Sequence, residues 1–177
     1  MEQRYDLSGS LLHWYDYNKR ILPWRENKDP YRIWISEIML QQTRVEAVKP
    51  YFDRFMEVLP TVYDLAKVDD DRLMKLWEGL GYYNRARNLK AAAQTIVEEY
   101  GGQLPADYDK LLSLKGIGMY TAGAIGSIAF ELQVPAVDGN VLRVLTRLWG
   151  DDSDILKDKT KKAMGRRVME FMPEDRP

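Results

Sequence analysis

The sequence predicts an all-α protein assembled from many short helices. Apolar residues recur at three- and four-residue spacing along nearly the whole chain, and the two-residue alternation of a strand is almost absent. Proline, glycine and aspartate fall at the ends of the periodic segments, where helices start and stop.

Asp6 or Ser8 can open a first helix, which carries Leu11, Leu12, Trp14 and Tyr15 toward NKRILPWR. Pro23 and Pro30 bracket a loop, and Pro30 suits the first turn of a helix that runs into WISEIMLQQT, residues 34–43. Further helices are predicted at about 45–58, 70–77, 83–100, 107–113, 119–130, 139–149 and 155–172. Gly101 with Gly102 ends one of them, and Asp107 caps the next. No low-complexity stretch or linker divides the chain.

With 177 residues the chain can bury a core without covalent staples. It has no cysteine, which excludes disulfides, thiolate metal sites and a cysteine nucleophile. Its single histidine, His13, lies in the helical, aromatic-rich LLHWYDYNKR and reads as a packing or surface residue; no metal site is expected. Formal net charge is −1, from 26 basic and 27 acidic residues, so global electrostatics does not favour a nucleic-acid partner and any such function has to come from local arrangement. MEQRYDLSGS lacks the basic start and apolar core of a secretion signal. The longest apolar stretch, YTAGAIGSIAF, is too short to cross a bilayer, and a cytoplasmic location with no membrane partner is expected.

Against this background Glu37 stands out. It is a lone acid among Trp34, Ile35, Ile38, Met39 and Leu40. An ionised carboxylate in apolar surroundings is costly unless paired, so Glu37 is either salt-bridged to a distant residue or held protonated.

A second feature is an internal echo. EGLGYYNRA at 78–86 and KGIGMYTAG at 115–123 share G-(L/I)-G-x-Y between a short helix and a longer one, a helix–hairpin–helix arrangement that occurs twice. In the second copy Gly116 and Gly118 flank one apolar residue, and the next helix opens with outward-pointing N–H groups that suit a phosphate. Read alone, the glycines need solve only a steric problem; Lys115, the small residues Ala122 to Ala129 and the partial duplicate favour the anion site. Backbone N–H groups grip phosphate without net positive charge.

Third, VPAVDGNVLRVLTRLWG sets Asp138 at the mouth of a helix, where it reads as an N-cap. N–H donors there favour the ionised form, whereas apolar surroundings push Glu37 the other way. Two acids with pKa values driven apart suit a proton donor and a charge stabiliser, the pair needed to cleave a glycosidic bond. The sequence does not say that they meet.

LKGIGMYTAGAI followed by VDGNVLRV resembles the helix–hairpin–helix–Gly/Pro–Asp superfamily of DNA glycosylases. Together with LPWR, ISEIMLQQT and GLGYYNRARNL it is similar to the A/G-specific adenine glycosylases, the MutY family, across essentially the whole chain. The resemblance implies a helix–hairpin–helix glycosylase fold, two helical lobes with a cleft between them. About 24–135 would form a six-helix lobe with its hairpin at 114–120. Segments 1–23 and 136–177 would form an incomplete second lobe.

The implied activity is base-excision repair: flipping adenine, mispaired with 8-oxoguanine or guanine, out of double-stranded DNA and hydrolysing its N-glycosidic bond. By match to the motifs, Glu37 would protonate adenine N7 and Asp138 would stabilise the sugar cation or a covalent intermediate, with Tyr120 and Asn140 supporting them. Gln42, Thr43 and Tyr82 would enter the duplex near the lesion. Trp24, Arg25 and Leu40 would line the adenine pocket, and Gly116 and Gly118 would hold a backbone phosphate. Read from the residues alone, Tyr82 could be one more core aromatic, Gln42 a solvated helix end and Arg25 a surface partner of Asp29.

Two other readings stand beside this one. An endonuclease III-like glycosylase and lyase needs a Schiff-base lysine just after the hairpin, where this chain has Tyr120. A catalytically inactive hairpin module would have no use for Glu37. The chain also departs from the family pattern at Lys115, which stands where proline is common, and at its end. Relatives continue into a four-cysteine motif for a [4Fe-4S] cluster and then a lesion-reading domain, so a truncated catalytic region is expected here, unable to hold that cluster and gripping DNA more weakly. A monomer associated with the nucleoid is the implied state. The late basic run Lys157, Lys159, Lys161, Lys162, Arg166 and Arg167 reads as a solvated face.

Overall fold

The computed structural model describes residues 6–177. Among them are ten α-helices, one 3₁₀ turn and no strand. The helices are α1 (Leu7–Asn18), α2 (Pro30–Leu40), α3 (Val45–Val58), α4 (Val62–Lys67), α5 (Asp70–Trp77), α6 (Asn84–Tyr100), α7 (Tyr108–Ser113), α8 (Met119–Phe130), α9 (Gly139–Trp149) and α10 (Asp158–Met169); the 3₁₀ turn is Pro23–Arg25. No helix among the described residues is long and apolar enough to cross a membrane.

Capping residues place most helix starts. Asp6, rather than Ser8, opens α1, accepting from the Gly9 N–H at 2.8 Å. Asp29 accepts from Tyr31 N–H at 2.9 Å and Pro30 fills the first position of α2. Asp107 caps α7 through Lys110 N–H at 2.9 Å. At the far end of α6 Gly101 takes the left-handed conformation, φ +61°.

Two departures from the sequence reading have local causes. The six-residue α4 is an extra helix, held by a capping box in which Thr61 accepts from Asp64 N–H and Asp64 accepts from Thr61 N–H. The last helix is shorter than 155–172, because Asp151 and Asp154 turn back to accept from Ser153 and Leu156 N–H groups at 3.0 Å and hold residues before 158 in turns.

Helix α2 is the hub. Tyr31, Ile33, Trp34, Ile35, Ser36, Ile38 and Met39 are all buried, and α3, α6, α8 and the 3₁₀ turn pack around it. Helices α4 and α5 close on α6, and α7 closes on α8. The apolar core of this group runs from Leu22 to Ile125.

Helices α1, α9 and α10 make a second group outside that core. The Trp149 and Phe171 rings stack at 5.5 Å, Arg167 covers Trp149 at 3.9 Å, and Arg176 pairs with Asp16 at 2.8 Å. A cleft lies where the two groups face each other, lined from one side by α2 and α8 and from the other by α1, Asn140 and the chain's last residues.

The connection from α8 to α9 determines where Asp138 sits. It runs back along α8 with Pro135 laid directly over Gly123, where a Cβ would collide with the Pro135 carbonyl and come within 3.1 Å of Ala136 Cα. Backbone atoms cannot yield as a flexible side chain does. Gly123→Ala is therefore expected to destabilise the chain by about 1–3 kcal/mol. Urea unfolding monitored by circular dichroism checks this, and an unchanged midpoint would count against the close approach.

Candidate active site

Glu37 projects from the one face of α2 that is not closed by packing, so its carboxyl is half-buried while its neighbours on the helix are covered. Burial raises its pKa above the ordinary 4.5. The Tyr120 hydroxyl, as hydrogen-bond donor to the carboxylate, and the Arg25 guanidinium act in the opposite direction, and the negative charge of Asp138 adds to the rise. Desolvation prevails, which favours the protonated acid.

Tyr120 sits in the first turn of α8, immediately after the hairpin, and leans toward Glu37. Burial pushes its hydroxyl pKa strongly upward, and the nearby charges of Glu37 and Asp138 add to that. It stays a neutral donor.

Asp138 is fixed from two sides. One oxygen accepts from the Val141 N–H at 2.8 Å as the N-cap of α9, and the other accepts from Asn140 Nδ2 at 2.9 Å. Both contacts leave the carboxyl facing the cleft.

Glu37, Tyr120, Asp138 and Asn140 line one cleft of about 1530 Å³, together with Trp24, Arg25, Leu40, Gln42 and Thr43. Small-molecule pockets are typically about 300–1,000 Å³, so there is room for a purine and part of a strand. Arg25 is not paired with Asp29: its guanidinium lies over the Tyr15 ring at 5.9 Å.

Tyr82, Gly116 and Gly118, also singled out from the sequence, lie away from this cleft. Tyr82 is 66% exposed, so it is not a core aromatic, and its φ of +48° is unusual for a non-glycine residue. Gln42, at the cleft edge, is also exposed and left-handed, φ +60°. Gly116 and Gly118 form the hairpin between α7 and α8. Only Gly116 needs the left-handed conformation (φ +82°), and a Cβ there would come within 2.7 Å of Asn88 Cβ on α6. Gly118 is extended, φ −96°, with open space where its Cβ would be, so another backbone can approach the start of α8.

The sequence reading missed Arg85. Its side chain is buried at 9% exposure, and it bonds main-chain carbonyls at the end of α2 and in the turn before α6. The signal was available: position 85 falls on the helical stripe that continues through Leu89, Ala92, Ala93 and Ile96, all buried, where an arginine is out of place.

The sequence matches the family described as "HhH-GPD superfamily base excision DNA repair protein" over residues 35–171. It is 48% identical over 149 residues to the adenine DNA glycosylase of Homo sapiens, a match covering 79% of this chain and 27% of that protein. With the adenine DNA glycosylase of Buchnera aphidicola subsp. Acyrthosiphon pisum it shares 45% identity over 157 residues, covering 88% of this chain and 45% of that protein. The chain thus spans less than half the length of these relatives. Among solved structures, a thermostable thymine-DNA glycosylase superposes with a TM-score of 0.85 at 30% identity, covering 94% of this chain and 76% of its own. A trapped endonuclease III–DNA covalent intermediate superposes with a TM-score of 0.79 at 27% identity, covering 97% of this chain and 78% of its own.

The raised pKa of Glu37 links its ionisation to stability. Below the unfolded-state value near 4.5 the carboxyl is neutral in both states and costs nothing. As pH rises through the higher folded value, the buried group must ionise and stability is lost. Glu37→Gln is therefore expected to melt at a higher temperature than the parent chain at pH 7–8, by roughly 2–4 °C for each kcal/mol relieved, with the difference closing toward about pH 4. Melting curves across that range check this, and a pH-independent difference would contradict it.

Proposed function

Because the chain belongs to the HhH-GPD superfamily of base-excision DNA-repair proteins, we propose that it carries the catalytic region of a monofunctional adenine DNA glycosylase acting on adenine opposite 8-oxoguanine or guanine in double-stranded DNA. The observation that carries this reading is that a desolvated acid and a carboxylate fixed at a helix mouth line one cleft, close enough for the charge of the second to raise the pKa of the first. The adenine glycosylase relatives, at 45–48% identity, support the choice of base.

In this reading the target nucleotide leaves the stack and enters the cleft between Glu37 and Asp138. Glu37 donates its proton to N7 of adenine while the N-glycosidic bond breaks, and the bonding pair departs with the base. The sugar is left as an oxocarbenium-like cation. Asp138, steadied by Val141 N–H and Asn140, offsets that charge or forms a transient covalent bond to C1′. Water then adds at C1′, and the proton it loses restores a protonated carboxyl. Tyr120 orients Glu37. Trp24, Arg25 and Leu40 form the wall around the purine, Gln42, Thr43 and Tyr82 occupy the space opened in the duplex, and Gly116 with Gly118 presents the hairpin N–H groups to a phosphate.

A lyase reading has less support. Tyr120 occupies the position after the hairpin where a Schiff-base amine would be needed. Of the lysines lining the cleft, Lys28 is engaged by Glu131 and Lys19 lies over the Tyr15 ring at 5.9 Å. A [4Fe-4S] cluster held by thiolates does not fit these 177 residues, which include no cysteine, and no step above passes through one. We also assign about 24–135 to the hairpin-bearing lobe and the flanking segments 1–23 and 136–177 to the second; residues 1–5 of the former lie outside the described residues.

Single-turnover release of adenine from a duplex with one A:8-oxoguanine pair tests the proposal. The chain is expected to release base without cutting the strand. Glu37→Gln and Asp138→Asn are each expected to slow release by roughly 10²–10⁴-fold, the usual weight of a positioned acid or base. A Glu37→Gln rate equal to the parent's, or strand cleavage without alkali, would overturn it.

A further inference from the structure

Arg85 sits in the first turn of α6, and its guanidinium makes no ion pair with any carboxylate among the described residues. It is spent instead on five main-chain carbonyls. Nη1 donates to those of Ile38 (2.8 Å), Met39 (3.1 Å) and Gln41 (2.6 Å), and Nη2 donates to those of Leu80 (3.0 Å) and Gly81 (3.2 Å). The first set is the C-terminal end of α2, where carbonyls lack intrahelical partners and the helix dipole favours a cation. The second set is the turn between α5 and α6. The same guanidinium lies 5.4 Å from the Trp77 ring and 5.7 Å from the Tyr82 ring.

Each clamped segment leads directly into an exposed, left-handed, non-glycine residue: Gln42 after the first and Tyr82 after the second. Among the described residues only Glu131 shares that backbone state. Such conformations persist where surrounding contacts over-determine them.

We propose that Arg85 is a positioning residue that locks these two turns to each other, so that Gln42 and Tyr82 are presented to the duplex at a fixed separation and enter it as one wedge. The inference rests on the glycosylase reading above. Arginine is required because its planar fork sets two nitrogens apart, one on the carbonyls of each segment, whereas a lysine presents all its donors from a single nitrogen that cannot sit at both places. Burial also withholds this cation from the DNA phosphates, so its effect is on geometry rather than on affinity.

The test uses Arg85→Lys and Arg85→Gln in the 177-residue chain, with a duplex carrying 2-aminopurine at the target position. Binding is read by anisotropy at matched salt and unstacking by the rise in 2-aminopurine fluorescence. Because the hairpin phosphate contacts lie elsewhere, Arg85→Lys is expected to keep binding within about twofold, while the rate of unstacking falls roughly tenfold to a hundredfold. A merely destabilised protein would lose both in proportion. Amide hydrogen exchange on the free chain provides an arm independent of DNA: exchange at 41–43 and at 80–83 is expected to accelerate together, with α8 unaffected. Unchanged unstacking, or exchange that accelerates in one turn alone or equally throughout the chain, would overturn the proposal. A parent chain that binds DNA yet never unstacks the base would defeat the glycosylase reading, and the exchange arm would still decide the clamp.

Discussion

Burial of one carboxyl on the most heavily packed helix governs much of this structure. Glu37 belongs to α2, whose other faces are covered by α3, α6, α8 and the 3₁₀ turn. Moving the acid toward water would require unpacking Trp34, Ile35 and Met39, all fully buried. Its environment is therefore set by the hydrophobic core. Tyr120 and Arg25 limit the rise in pKa without abolishing it, so a proton can be both held and given up.

The grip on DNA proposed here draws little on net charge. Several cations of the late helix are matched locally: Lys157 to Asp154, Lys161 to Asp158 and Arg167 to Asp151. Arg85, the most buried cation among the described residues, faces carbonyls. What remains is main-chain geometry. Gly118 leaves the start of α8 open, and small residues along α8 let it seat closely on α2 while Pro135 crosses it. The same tight seating carries the chain around to Asp138, which ties the proposed anion site and the proposed catalytic pair to one helix.

Helix starts were legible because aspartate side chains cap them: Asp6, Asp29, Asp107 and Asp138 each accept an N–H two or three residues ahead. The short α4 escaped because six residues give too little apolar periodicity, although its Thr61–Asp64 box was there to be read. In the site, Glu37 was conspicuous as a lone acid in an apolar run. Its meeting with Asp138 was not legible, since it depends on how residues 131–138 cross α8, and that path follows from the missing side chain at Gly123. Arg85 could be read only as a charge on the buried stripe of α6; its carbonyl partners on two other segments leave no complementary acid in the sequence, so its role was not legible.

The central claim is that burial, and the charge of Asp138 lining the same cleft, raise the pKa of the Glu37 carboxyl above its ordinary value. Carbon-13 NMR titration of the Glu37 side-chain carboxyl, in the parent chain and in Asp138→Asn, tests it most directly. The account predicts a midpoint above the ordinary 4.5 that moves down when the Asp138 charge is removed. A midpoint at or below 4.5, or one that ignores Asp138, would contradict it.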